Sequence, residues 1–351
     1  MEKLNVGVNG FGRFGLHLLK FWLDHKETAQ FDIQYINDDF LDIDKAHDII
    51  MNDKYVNFNK YQINKANNCL TFHNKSGEVS KIYYTNAEKE DISWIGKVKL
   101  FLECTGKYAT REEASFFLKG DTEKVIISQT SWDCDKTLIF GLNHEEYHSD
   151  QKLISYGSCT VNAFCSLANF VNKKYGVSDC DVNVIHNIPP YKLKDPKSDT
   201  LVRKFCTLEK SSPNLLNFIN EKNFNVNYTL IPYDGVSIFD IRFKLDGRQI
   251  TREDVISSLE DAFVFGPLKN LYAFDEEDRG PEPYICSPYS AVLIKENLKV
   301  KGDNLYLHCY FDNENSVNRY FDLVHFISEK VKLEMVPSIK SQKADYVQPA
   351  F

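Results

Sequence analysis

The chain has 351 residues, 42 Lys and Arg against 50 Asp and Glu, and 43% apolar against 26% charged residues. This is the composition of a globular protein, and the length suggests about two domains. A formal net charge of −8 argues against a general nucleic-acid binder, and no apolar run approaches the ~18 residues of a membrane span.

The amino terminus, Met1-Glu2-Lys3-Leu4-Asn5, runs straight into a strand pattern and leaves no room for a signal peptide. The nine cysteines (69, 104, 134, 159, 165, 180, 206, 286 and 309) include no C-x-x-C pair. An odd, dispersed set is a poor disulfide framework and lacks zinc spacing, so a reducing cytosol and no metal site are expected. Of only 16 glycines, four fall within residues 7–15.

Leu4 to Val8 reads as a strand, Gly10-Phe11-Gly12-Arg13-Phe14-Gly15 as a G-x-G-x-x-G, and Leu16 to Leu23 as a helix. Glycines in that setting allow a tight turn and close approach of the backbone to a pyrophosphate, while the helix end supplies oriented N–H groups. Alone, the motif also fits a structural glycine turn. Phe31 to Ile36 is the next strand, with Asn37-Asp38-Asp39 at its tip. A carboxylate there accepts hydrogen bonds from ribose hydroxyls and repels a 2′-phosphate. No Lys or Arg follows before Lys45, which favours NAD over NADP. An acidic turn would also fit the tip; the two signals together point to a dinucleotide site.

Residues 52–90 break the rhythm, and Tyr55 to Phe58 and Leu70 to His73 are expected as an inserted antiparallel hairpin. Val98 to Cys104 is an apolar run suited to a buried parallel strand, ending at Thr105-Gly106. Thr110 precedes a capped helix start, and Val125 to Ser128, Leu138 to Gly141 and Leu153 to Ser155 read as strands. Alternation of this kind predicts a Rossmann-type, doubly wound parallel sheet with ligand at the strands' carboxyl ends.

Ser158-Cys159-Thr160 follows a strand and opens an amphipathic stretch to Tyr175. The Cys159 thiol therefore lies at or near a helix amino terminus, which favours thiolate. A thiol nucleophile needs a base, and His186, ending the strand pattern Asp181 to Ile185, is the best candidate; a surface-loop histidine would look the same. The other histidines have no companion signal.

These residues resemble the glyceraldehyde-3-phosphate dehydrogenase family, and the likeness covers most of the chain. Asn5 to Gly15 resembles its opening, with Phe14 where an aliphatic residue is usual. Ile36-Asn37-Asp38 is similar to its ribose-binding turn, Glu103-Cys104-Thr105-Gly106 to its E-S-T-G, and Gly141-Leu142-Asn143-His144 to its G-V-N-H. Ser158-Cys159-Thr160-Val161-Asn162 resembles S-C-T-T-N, its most specific motif, and Asp312-Asn313-Glu314 with Asn318-Arg319 its late segment.

The resemblance implies that Cys159 attacks an aldehyde, that His186 is the base, and that phosphate releases the acyl thioester. It also implies that Gly10, Gly12, Arg13, Phe14, Asp38, Thr105 and Ser128 line NAD, with Asn313 on its carboxamide. It implies an NAD domain over 1–158, an α+β catalytic domain with a mixed or antiparallel sheet over 159–317, and a helix over 318–331 returning to the first. Ser237 to Leu245 and Leu305 to Tyr310 would be long strands of that sheet. A homotetramer is the family's usual assembly.

The departures cluster at the substrate end. Pro189-Pro190-Tyr191 stands where the family carries threonines, and Leu230 stands in place of its phosphate-binding arginine. A leucine cannot supply a bidentate grip on phosphate. Ser158, Thr160, Arg203, Ser211 and Ser212 are the candidate anion partners. Lys192, Lys194, Lys197, Lys204 and Lys210 either bind phosphate in another geometry or form a solvated loop. The alternatives are a different aldehyde with hydrolytic release, and a non-catalytic NAD-binding interaction protein. Retention of both Cys159 and His186 speaks against the last.

Overall fold

The computed structural model describes residues 2–188, 193, 199–247 and 250–335. The Pro189-Pro190-Tyr191 segment and Lys192, Lys194 and Lys197 lie outside the described residues.

The first sheet contains β1 (Leu4–Asn9), β2 (Phe31–Asn37), β3 (Gln62–Ala66), β4 (Cys69–His73), β5 (Val79–Thr85), β6 (Leu100–Glu103), β7 (Lys124–Ile127), β8 (Lys136–Thr137) and β9 (Leu153–Ser155). Their spatial order is β3-β4-β5-β2-β1-β6-β7-β9-β8. All pairs from β5–β2 through to β9–β8 are parallel, and only β3–β4 and β4–β5 are antiparallel. The order reverses across β1, which puts a crevice at the carboxyl ends of β1 and β6. The central strands are almost wholly buried, as their largely apolar sequences require.

Two expected strands are corrected. Tyr55 to Phe58 is irregular, because the Asp53 carboxylate accepts the N–H groups of Tyr55 and Val56 at 2.9 and 2.7 Å and turns the chain. The true partner of β4 is β3, joined through Asn67 at φ 51°. Leu138 to Gly141 also leaves the sheet: the Asn143 side chain accepts from the Ile139 N–H at 2.7 Å and pulls the segment into a turn.

The helices are α1 (Arg13–Asp24), α2 (Ile43–Asn52), α3 (Arg111–Ser115), α4 (Cys159–Tyr175), α5 (Thr207–Leu215), α6 (Arg252–Val264) and α7 (Asn313–Met335). Thr110 and Glu113 form the reciprocal cap at α3.

The second sheet is mixed. It holds β10 (Val177–Ile188), β11 (Arg203–Lys204), β12 (Phe224–Pro232), β13 (Ser237–Leu245), β14 (Tyr272–Asp275), β15 (Ala291–Ile294), β16 (Lys299–Lys301) and β17 (Asn304–Phe311). The order is β11-β12-β10-β13-β17-β15-β14, with β16 on β17. β10 runs parallel to β12 and antiparallel to β13. Alternate residues of β13 (Phe239, Ile241 and Phe243) are buried in one core with Val161, Phe164, Leu167 and Ala168 of α4.

α7 starts where β17 ends and packs on α1. Tyr320, Leu323, Val324, Ile327 and Val331 are buried in the core that holds Leu16, Leu19 and Trp22, each such side chain contributing about 1.5–3 kcal/mol. The Tyr320 hydroxyl donates to the Ile126 carbonyl of β7 at 2.7 Å. The helix begins five residues earlier than Asn318, at Asn313. The loop after β1, the end of β10 and the start of α7 thus line one cleft, and the start of α4 meets β10 at His186.

Candidate active site

A cleft of about 560 Å³ is lined by residues of both sheets, among them Gly12, Arg13, Phe14, Thr105, Ser128 and Asn187. Its nucleotide side is built from backbone. Gly10 has φ +102°, and a Cβ there would lie 2.6 Å from the Cys104 carbonyl carbon and the Thr105 nitrogen, so only glycine lets the β1 and β6 ends approach. Gly12 faces open space and is the N-cap of α1 with no side chain capping it. The first N–H groups of α1 therefore point into the cleft, which suits a pyrophosphate.

Asp38 follows β2 and is buried. Its Oδ2 accepts from the Phe11 N–H at 2.7 Å, and its Oδ1 from Phe40 and Leu41 N–H at 2.9 and 2.8 Å. The carboxylate is thereby fixed against the glycine loop, with acceptor capacity left for ribose hydroxyls. Arg13 is held by both oxygens of Glu314, at 2.7 Å from Nε and 3.1 Å from Nη2, and by Asp53. Phe14 packs edge-on against Tyr156 and Tyr320 at 5.7 and 5.2 Å. Thr105 donates through its backbone and its hydroxyl to buried Glu103, whose carboxyl burial pushes up to about 7. Ser128 lies just past β7 on the cleft wall. Asn313 is the first residue of α7; its side chain lies outside what the structure describes.

Cys159 is the first residue of α4, with Ser158 as N-cap. Its Sγ is 3.5 Å from His186 Nε2, and His186 Nδ1 is 2.8 Å from the carbonyl of Asn187. A carbonyl only accepts, so Nδ1 carries a proton, and in the neutral imidazole Nε2 then turns its lone pair to the thiol. Asn187 is itself clamped: its N–H donates to Ser237 Oγ at 3.1 Å, and its side-chain carbonyl accepts from the same hydroxyl at 2.8 Å. Burial pushes the Cys159 thiol well above its usual range. Asp312 and Cys206 add to this, while the N–H groups of Thr160 and Cys159 at the helix start pull the other way. The 3.5 Å contact is a path for a proton between sulfur and imidazole.

Three hydroxyls gather on the far side of Ser158. Ser158 Oγ is 3.0 Å from Thr160 Oγ1 and 2.9 Å from Thr207 Oγ1, and the two threonines are 3.4 Å apart. Thr207 opens α5. Ser211 and Ser212 are not in this group, and that expectation is corrected: both are buried in α5, with Ser212 Oγ 3.7 Å from Cys165 Sγ. Arg203 is corrected likewise, since its guanidinium donates to the Val226 carbonyl at 2.9 Å and faces Glu209. Leu230 is in register with His186 on the parallel neighbour β12, and the Tyr228 ring lies 5.7 Å from the imidazole. Arg242 sits on the other face of the sheet with Asp179 and Asp181.

Residues 4–111 match the NAD-binding domain model of glyceraldehyde 3-phosphate dehydrogenase. Over 94% of this chain and all of theirs, it is 27% identical to glyceraldehyde-3-phosphate dehydrogenases 4 and 1 of Caenorhabditis elegans. It is 25% identical to glyceraldehyde-3-phosphate dehydrogenase 1 of Bacillus cereus, over 93% of this chain and 98% of that one. Along most of its length the chain is thus similar, at low identity, to glyceraldehyde-3-phosphate dehydrogenases. Its cofactor is NAD, and the glycine cradle, uncapped α1 and fixed Asp38 fit that group.

Three groups around the Cys159–His186 pair carry no signal in the linear sequence. Thr207 lies 48 residues beyond Cys159, inside no recognisable motif. Asn187 acts through its backbone carbonyl, which no side-chain pattern reveals. Ser237 reaches Asn187 only because β13 pairs with β10. A polar residue opening an apolar strand was the one available signal for it.

Proposed function

We propose that the protein is an NAD-dependent aldehyde dehydrogenase working through a thioester on Cys159. His186 Nε2 takes the thiol proton as sulfur bonds to the aldehyde carbon and passes it to the carbonyl oxygen, giving a thiohemiacetal and a free Nε2. His186 then accepts the hydroxyl proton as the C–H bond breaks and the acyl thioester forms. NAD, when bound, supplies the hydride acceptor. Arg13, Thr105 and Ser128 line its cleft, Gly10 and Gly12 open its backbone cradle, and Asp38 serves the ribose. Release follows when a phosphate oxygen bonds to the acyl carbon and the carbon–sulfur bond breaks, with the Ser158, Thr160 and Thr207 hydroxyls receiving the anion. The observation that carries this reading is the 3.5 Å approach of Sγ to Nε2 of an imidazole whose Nδ1 is held by the Asn187 carbonyl.

A second reading concerns the aldehyde. Leu230 and Tyr228 make the wall beside His186 apolar where a phosphorylated tail would need a guanidinium, which supports a less polar substrate and hydrolytic release of its thioester. Residues 1–158 with α7 as the NAD domain, a cytosolic setting supported by nine free thiols, and a homotetramer belong to the same proposal.

The test is rapid mixing with NAD and a panel of phosphorylated and free aldehydes, with and without phosphate or arsenate. Cys159-dependent NADH from a phosphorylated aldehyde that turns over only with phosphate supports the first reading. Phosphate-independent turnover of an unphosphorylated aldehyde supports the second. No NADH from any aldehyde ends both.

A further inference from the structure

We propose that Cys286, His17 and Glu314 form a binding site for a zinc-class divalent cation, coupled to the NAD cleft through Arg13. The three residues come from separate elements: His17 from α1, Glu314 from the first turn of α7, and Cys286 from the loop before β15. Cys286 Sγ lies 4.0 Å from His17 Nδ1 and 3.8 Å from Glu314 Oε2, and His17 Nε2 lies 2.8 Å from the same oxygen. One ligand atom from each falls within 4.8 Å of the others. Thiolate, imidazole and carboxylate are the donors zinc takes, at bond lengths of about 2.0–2.3 Å. Tetrahedral bonds of that length set ligand atoms about 3.2–3.7 Å apart; one imidazole nitrogen binds, and small side-chain adjustments within the 4.8 Å cluster bring it, Sγ and Oε2 to that spacing.

Two further features mark the place. Cys286 is a non-glycine residue at φ 59°, a conformation unfavourable for an L-residue; it is held there with its sulfur near the other two ligands. A second cleft of about 270 Å³, lined by His17, Tyr55, Asn57, Cys286 and Glu314, gives an entry path and room for a fourth, water ligand. The ligands are 269 and 28 positions apart, so no spacing motif announces them.

Arg13 supplies the coupling. Its Nε holds Glu314 Oε1 at 2.7 Å, while its Nη2 is 3.1 Å from Oε2, the oxygen that faces His17 and Cys286. A cation at Oε2 displaces Nη2 and leaves Oε1 with Nε. Coordination also removes the Cys286 proton. Arg13 and Glu314 both line the NAD cleft, so a cation that shifts this pair weakens NAD, and NAD weakens the cation by the same factor. Lys20, which lines the second cleft, is engaged by Asp24.

The experiment is titration of the reduced full-length protein with Zn²⁺ against a chromophoric chelator, and with Co²⁺ followed by absorption. The expected result is one equivalent bound, with a thiolate-to-cobalt band. Both persist in Cys159→Ser, while Zn²⁺ affinity falls at least about 100-fold in Cys286→Ser and in His17→Gln. Zn²⁺ should also weaken NAD several-fold in the unaltered protein and not in Cys286→Ser. Loss of the band in Cys159→Ser, or undiminished binding in both other variants, overturns the site. Unchanged NAD affinity at saturating Zn²⁺ overturns the coupling.

Discussion

The Sγ of Cys159 lies 3.5 Å from Nε2 of His186, across the junction between the first helix of one layer and a sheet strand of the other. The pair is held by a short relay, His186 to the Asn187 carbonyl to the Ser237 hydroxyl. Replacing His186 by Asn should lower kcat by about 10²–10⁴, the usual contribution of a positioned base, and Cys159→Ser should abolish turnover. Ser237→Ala should lower kcat by about tenfold with little change in NAD affinity, and should cost about 1–2 kcal/mol of stability from the lost buried bonds. Steady-state kinetics and thermal melts read both effects. A Ser237→Ala enzyme with unaltered kcat would remove the relay from the account.

Two glycines in one motif should behave differently. A Cβ on Gly12 meets nothing within 4 Å, whereas one on Gly15 would lie 2.1 Å from the Gly10 carbonyl oxygen. Gly12→Ala should therefore keep stability within about 1 kcal/mol, yet weaken NAD by about tenfold, or 1.4 kcal/mol. Gly15→Ala should instead destabilise by about 3 kcal/mol, because backbone overlap cannot relax by a side-chain rotation. NAD titration and calorimetric melts of the two variants separate the roles; equal effects on both readouts would contradict them.

Thr207 tests the anion side. Thr207→Val keeps the shape and removes one hydroxyl from the Ser158–Thr160–Thr207 group. If phosphate is received there, its KM should rise about fivefold to tenfold, in line with loss of one hydrogen bond to a charged ligand, while NAD affinity stays fixed. A phosphate KM that does not move places the anion elsewhere.

Glu103 predicts a pH dependence of folding. Burial keeps its carboxyl protonated up to about 7 in the folded protein, against about 4.5 when unfolded. Between those values the folded state holds more protons than the unfolded one, so stability falls as pH rises. The contribution is complete below about pH 4.5 and lost above about 7, amounting to up to about 3 kcal/mol. Melts of Glu103→Gln should run parallel to the unaltered protein below pH 4.5 and gain on it toward pH 7. A constant difference across that range would refute the assignment.

Local chemistry was legible in the sequence. The glycine loop, the acidic tip at Asp38 and the Thr110 cap all depend on residues near one another in the chain, and each formed as its pattern requires. The errors lay where side chains outweigh propensity. Asp53 and Asn143 capture backbone N–H groups and turn Tyr55 to Phe58 and Leu138 to Gly141 out of the sheet. Ser211 and Ser212 had the right chemistry but lie on the buried side of α5.

By itself, the sequence determined that this chain folds around a dinucleotide cradle and carries a cysteine at a helix start. Turn geometry, helix capping and apolar periodicity are short-range properties, and a few adjacent residues are enough to specify them. Only the tertiary structure decided which groups meet at the reacting sulfur. His186, Asn187 and Ser237 converge through pairing of β10 with β13, Thr207 through packing of α5 on α4, and Leu230 through the register of β12. Such contacts depend on strand register and helix docking, which the buried surface of the whole domain sets, and no local pattern records them.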